Sequence, residues 1–315
     1  YITVVRLGVG AEGPGLSGRT LSVRTEARYD FYALNAKRRN LDLSFAIAQA
    51  FPHHGHLQLR GRFVPSYFYR NFMADAIDLN GDGTIESNER IYAAGTYSDA
   101  RLMLGYRQWL IRSTAAQPFG AAVEVEVGTV TRTYEAPLRY RSYRGPEVAG
   151  ALTLDFTRSV GFELGYRRAS LTSTPDTAVL VLNEPDFNRD FNGDGTAVDL
   201  RVRTVQMVDF SRLEQELVLR LRAELARGVA ARLYYQHRWR HFPSIQPYDV
   251  YNNSRWDRRD WAGAELGVRV RPRVAFTVGA DVETQKVTRS LVPSLTGEIT
   301  DYTRTRVYAG WRYHL

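Results

Sequence analysis

From about residue 20 to its C-terminus this chain keeps a two-residue rhythm, and the segment 303–315 shows it most plainly. Thr303, Thr305, Val307, Ala309, Trp311, Tyr313 and Leu315 fall on one parity, and Arg304, Arg306, Tyr308, Gly310, Arg312 and His314 on the other. Successive side chains of a β-strand point to opposite faces, so the segment reads as a strand with one face suited to oil and the other to water. The polar parity is charged too often to line the core of an ordinary sandwich. Both faces are satisfied if the sheet curls into a cylinder, with the ionic parity around a wet lumen and the apolar parity against lipid.

A soluble chain of 315 residues would cluster aliphatic side chains into one or two cores. Here they come as alternating singles, and no stretch approaches the ~18–20 apolar residues of a spanning helix. A negative mean hydropathy is no objection, because only every second strand residue would meet lipid. Cysteine is absent, which fits a compartment where free thiols are a liability and removes thiolate chemistry and Cys-bound zinc. The formal charge of +8 would suggest nucleic acid in a soluble protein. The arginines, however, are spread over one parity and interleaved with Asp and Glu, so no nucleic-acid partner is expected. The chain starts at Tyr1 without methionine or a signal peptide, which reads as processing or trimming.

Alternating spans are legible at 1–9, 20–33, 40–50, 56–69, 99–109, 120–134, 147–157, 160–171, 205–226, 229–240, 259–270, 273–285 and 301–315. Tight turns at Arg158-Ser159, Arg227-Gly228 and Arg271-Pro272-Arg273 alternate with long loops at about 70–96, 172–198, 241–258 and 286–300. That alternation suits a barrel with short periplasmic turns and long external loops. Since single-chain bacterial barrels are even-numbered, twelve or fourteen strands are expected from the thirteen readable spans. Tyr29, Tyr67, Tyr106, Trp109, Trp239, Trp261, Trp311 and Tyr313 lie near strand ends and are expected to form headgroup girdles.

These features resemble the outer-membrane β-barrel superfamily over nearly the whole chain, and 303–315 is similar to the C-terminal strand of that family, although it ends in Leu315 where the family usually ends in Phe. The resemblance implies an all-β fold: a transmembrane, antiparallel, up-and-down β-barrel of about 12–14 strands in one domain, in the bacterial outer membrane, with lipid as its surroundings. It brings no active site with it.

The sharpest local motif is Asp78-Leu79-Asn80-Gly81-Asp82-Gly83-Thr84-Ile85-Glu86-Ser87-Asn88-Glu89, which resembles an EF-hand calcium loop. Asp78, Asn80 and Asp82 supply oxygens at loop positions 1, 3 and 5, Gly83 the turn, Thr84 a carbonyl, Glu86 a direct or water-mediated contact, and Glu89 the closing bidentate carboxylate. Ca²⁺ takes six to eight hard oxygen ligands, and this spacing wraps them round one point. A second run, Asp190, Asn192, Asp194 and Thr196, repeats the first half, with Arg201 at the closing position and Asp199 as a substitute ligand. Without long flanking helices, both are expected to stiffen external loops rather than to signal.

The inward parity carries many Arg residues facing Asp and Glu, which reads either as an ion-pair lattice that props the wall or as a narrow pore whose Arg excess favours anions. None of His53, His54, His56, His237, His241 and His314 sits in a recognisable catalytic motif, so no enzyme is expected, an outer-membrane hydrolase being the residual alternative. The functional expectation is a surface scaffold, self-assembling through its external loops, or a small porin-like channel. A translocation barrel cut from a larger precursor is the alternative.

Overall fold

The computed structural model describes residues 2–33, 35–51, 55–82, 85–114, 117–183, 201–244, 252, 254–271, 274–288 and 301–313. Alternation becomes antiparallel pairing throughout: β1 (Ile2–Pro14), β2 (Thr20–Tyr32), β3 (Asn40–Ala50), β4 (Gly55–Ala76), β5 (Arg90–Ile111), β6 (Gly120–Tyr134), β7 (Tyr143–Asp155) and β8 (Val160–Leu171) pair in sequence order. A separate hairpin, β9 (Asp176–Asn183) and β10 (Arg201–Val208), interrupts the run. The sheet then continues from β8 to β11 (Arg212–Ala226), β12 (Val229–His241), β13 (Trp256–Arg271), β14 (Val274–Thr288) and β15 (Tyr302–Tyr313). Among the described residues it is an up-and-down meander of thirteen strands, where twelve or fourteen were expected, and β1 and β15 are not paired with each other.

The register shows why the fold holds its faces apart. Directly paired residues lie on one side of the sheet, so each row of partners can be followed across strands. Phe162, Leu221, Leu233, Ala264, Ala280 and Val307 form one such row from β8 to β15. The rows Leu164-Leu219-Tyr235-Ala262-Val282 and Val160-Ala223-Ala231-Leu266-Val278 flank it, and Val229-Val268-Phe276-Trp311 follows. These four apolar rows make a band about 20 Å tall along the strands. Its large side chains are uncovered: Leu233 is 50% exposed, Val307 78% and Trp311 76%.

The opposite face is concave. β5 and β15 are eight steps apart in the sheet, about 38 Å if it were flat. Yet Arg107 on β5 and Arg306 on β15 line the same cavity of about 1280 Å³. A second cavity joins Arg24 on β2 to Arg167 on β8. The wall therefore curls around its charged side.

Two expected loops are shorter than the sequence suggested. Residues 70–76 and 90–96 belong to β4 and β5, which are 22 residues each, so the connection between them is 77–89. Within 172–198, part of the chain is strand β9. Register shifts in β4 between Val64 and Tyr67 explain another difference: the added residue reverses the parity, so Tyr67 pairs with Tyr97 on the concave side instead of joining an outer girdle. Trp109, opposite the buried Ala122, and Trp261, 5.0 Å from Tyr234, also face inward.

Gly145 tests the tightness of the β7–β8 junction, because a Cβ there would meet the Ser170 carbonyl oxygen, whereas at Gly10 the nearest atom would lie 3.7 Å away. Gly145→Val is expected to lose about 1–3 kcal/mol of stability in a denaturant titration followed by far-UV circular dichroism. Gly10→Val serves as the control and should unfold with the parent.

Candidate functional site

Three features of the concave side and its loops bear on function: an ion-pair lattice, an apolar cap, and the acidic connection between β4 and β5. The lattice is built because inward residues of neighbouring strands alternate in sign. Among the described residues its longest run is Arg101–Glu147–Arg167–Glu216–Arg238, with contacts of 3.0, 3.3, 2.9 and 2.9 Å, crossing from β5 to β12. Glu283, 1% exposed, holds Arg259 at 2.8 Å and Arg304 at 2.6 Å and accepts from the Tyr302 hydroxyl. Asp281 takes Arg306 at 2.8 Å and the Tyr234 hydroxyl at 3.3 Å.

The expected Arg excess does not appear in the larger cavity. Five arginines line it, Arg107, Arg220, Arg222, Arg232 and Arg306, against five carboxylates, Asp155, Glu163, Glu216, Glu265 and Asp281. Arg220 pairs with Glu163, Arg222 with Asp155, Arg232 with Glu265 and Arg306 with Asp281. A wall compensated in this way exerts little net field on a passing ion.

At the long-loop end the inward parity turns from ionic to apolar. Val130, Tyr143, Ala169 and Leu171 form one buried cluster on β6, β7 and β8. Beside it, Phe72 and Tyr134 on the wall meet Leu138 and Tyr140 from the β6–β7 connection, Val208 and Phe210 at the end of β10, and Phe242 after β12. These residues come from strands up to six steps apart, about 29 Å along a flat sheet, so the loops carrying them converge over the lumen. Arg141 lays its guanidinium 4.0 Å from the Phe72 ring centre and 5.0 Å from that of Phe210, filling the core with a cation among rings. Below it Arg132 lies 4.0 Å over Tyr97, and Arg212 lies 3.8 Å over Tyr143 while bonding Glu214.

Polar contacts tie the cap together. Asn252, fully buried, donates 2.7 Å to the Asp209 carbonyl, joining the β12–β13 connection to the chain after β10. Ser173 donates to Asp209 Oδ1 at 2.8 Å, and Arg255 clamps Asp257 with contacts of 2.7 and 2.5 Å. Sequence reasoning missed this cap because alternation reports which face a residue occupies, not its height in the wall.

In the acidic connection, Asp78 Oδ1 accepts the Gly81 N–H at 2.7 Å and Asn80 Oδ1 that of Asp82 at 3.1 Å, with Gly81 at φ +72° making the turn. Glu89 is buried and accepts the Leu79 and Glu86 N–H groups at 2.8 and 2.9 Å, tying the two halves of the loop. Ile85 packs on Ala76 beneath them. Asp78, Asn80, Asp82, Glu86 and Glu89 are hard oxygen donors brought onto one short loop, which suits calcium chemistry. Among the described residues, no three acidic or histidine side chains converge on one point as a metal cluster, Glu89 being turned to the backbone. Thr84 lies outside the described residues, as do Asp190, Asn192, Asp194, Thr196 and Asp199 of the second run.

Of the histidines, His237 binds Asp260 Oδ1 at 2.7 Å on the convex side, where Tyr235 also donates at 2.6 Å. His241 stacks on Trp256 with ring centres 4.2 Å apart. His53, His54 and His314 lie outside the described residues. The His237–Asp260 pair escaped sequence reasoning because it depends on the β12–β13 register.

The cap predicts a specific weakness. Leu138→Asp would place an unpaired carboxylate where the side chain is fully buried. Limited proteolysis should then cut 135–142 about five- to 150-fold faster, as expected if the substitution costs about 1–3 kcal/mol of local stability, while the strand signal persists.

No family model matches the chain, and no curated protein matches it. Among solved structures it is similar to the Serratia marcescens hemophore receptor HasR, a double mutant in complex with its hemophore HasA and heme, at 12% identity and a TM-score of 0.31. That match covers 97% of this chain and 60% of the other.

Proposed function

We propose that this chain is an outer-membrane β-barrel whose external loops close the lumen and form a stiff surface scaffold. The observation that carries the reading is the aromatic core across the long-loop end, in which Leu138, Val208, Phe72 and Phe242 are all buried. A wide pore would leave that end wet. The uncovered band of four apolar rows supports lipid as the medium: about 20 Å along the strands, it lies within the apolar band of about 25 Å that outer-membrane barrels present. Aromatics bound the band at both ends: Tyr166 and Trp239 toward the long loops, Trp311 toward the short turns. The long-loop end is then external and the tight turns periplasmic.

Calcium belongs to the same reading. Asp78, Asn80, Asp82, Glu86 and Glu89 would hold the ion, with Thr84 contributing its carbonyl, and extracellular calcium suffices for sites of ~10⁻⁴ to 10⁻³ M. The ion would supply rigidity to the tip of the β4–β5 hairpin, where assembly contacts through the loops would form. The cavity of about 1280 Å³ beneath the cap favours a second reading, a small channel whose cap opens.

Planar-bilayer recording separates the two. The scaffold reading expects no steady current from the intact chain and measurable conductance once Leu138→Asp loosens the cap; steady current through the intact chain would support the channel instead. For calcium, Asp78→Ala combined with Asp82→Ala should remove one bound ion and expose 77–89 to protease while the strands stay folded. An unchanged ion stoichiometry would refute that site.

In the lipid band, Leu233→Arg should cost about 2–4 kcal/mol when unfolding is measured from bilayers, the range for a cation at the midplane. Little loss there would count against lipid as the medium.

A further inference from the structure

Just beyond the apolar band, on the convex side and toward the long loops, the register sets out a basic row. Arg168 pairs with Gln215, Gln215 with Trp239, Trp239 with Arg258 and Arg258 with Lys286, running from β8 to β14. The three cations are exposed, and none forms an ion pair with a carboxylate among the described residues. Arg258 and Lys286 stand directly opposite each other, an arrangement that is destabilising for like charges unless an anion lies between them. The carboxylate one row nearer the band, Asp260, already accepts from Tyr235 and His237. Gln215 has its carbonyl oxygen engaged by the Tyr166 hydroxyl at 2.9 Å, so what it offers a ligand is its amide N–H₂.

The row's height is fixed independently. Trp239 stands within it, Tyr166 one row below and Trp256 one row above, and such rings settle at the level of lipid headgroups. We infer that Arg168, Arg258 and Lys286, with Gln215 and Trp239, bind the phosphate groups of an anionic lipid in the leaflet that faces the long loops. Guanidinium groups take phosphate oxygens in pairs, the ammonium adds a point charge, and Trp239 packs on the lipid where headgroup meets acyl chain. Charge complementarity selects this occupant: from β8 to β14 the row has cations, donors and a ring and no acidic group, and Asp301, beside Lys286 past the end of the row, has its Oδ1 engaged by the Val287 N–H at 2.8 Å.

The inference rests on the membrane reading, and the test keeps the two apart. The full chain is first inserted into phosphatidylcholine vesicles; failure to insert would sink the barrel reading itself. The inserted or detergent-held chain is then titrated with bisphosphorylated lipid A and with the same lipid stripped of its phosphates, followed by native mass spectrometry. The phosphorylated form should bind about a hundredfold more tightly, as three surface cations imply, and R168Q/R258Q/K286Q should erase that preference. R258Q alone, which removes one charge, should lose about fivefold. Equal binding of the two lipids, a triple variant that keeps its preference, or displacement of the lipid by millimolar inorganic phosphate would each overturn the site, the last by assigning it to free phosphate.

Discussion

Everything in this structure depends on the register of an antiparallel ladder. With side chains repeating every two residues, a slip of one position along any strand would carry Leu217, Leu219 and Leu221 to the concave side and Glu216, Arg220 and Arg222 to the convex side. In water such a slip would exchange one mixed surface for another. Around a charged lumen it would break Arg167–Glu216–Arg238 and bury leucine among ions, so each strand's register is held by both faces at once. The ion-pair lattice thus acts more as a specification of pairing than as a source of net stability, since for such largely buried pairs desolvation offsets much of the Coulombic attraction.

That reciprocity also accounts for the charge. The surplus of basic residues does not accumulate in the larger cavity, where arginines and carboxylates match in number and mostly pair. Some of it stands on the convex rim as Arg168, Arg258 and Lys286, and at the capped end Arg132, Arg141 and Arg212 lie over aromatic rings, Arg132 and Arg212 also pairing with Asp99 and Glu214. Guanidinium suits that end because it is weakly hydrated and planar, and so can be buried against Tyr and Phe at lower cost than ammonium.

The sheet strands and their faces were largely legible in the sequence, because Leu21 to Phe31, Val123 to Val127 and Val274 to Val282 state their parity without interruption. What stayed hidden has three physical sources. A bulge adds a residue and inverts the parity after it, which moved Tyr67 inside. Height along a strand is not periodic, so parity alone does not show that Val130, Tyr143, Ala169 and Leu171 form the floor of the cap. Long connections hide hairpins, as with β9 and β10. The acidic spacing of 78–89 was plain in the sequence; what it did not reveal is that Glu89 accepts the backbone N–H groups of Leu79 and Glu86.

The two unpaired edges carry the last constraint. In a meander of thirteen strands the first and last run in the same direction, so β1 and β15 have the same sense. Pairing them directly would make a parallel seam with slanted hydrogen bonds, whereas antiparallel closure takes one more strand between them. Both edges present the same profile to that seam: Val5, Leu7 and Val9 outward on β1, Val307 and Trp311 outward on β15. In lipid each unmet N–H or C=O costs several kcal/mol, so a row of them along either strand is incompatible with the hydrocarbon core. The apolar outer parity continues across both edge strands, and the only charge within Thr3–Ala11 is the inward Arg6.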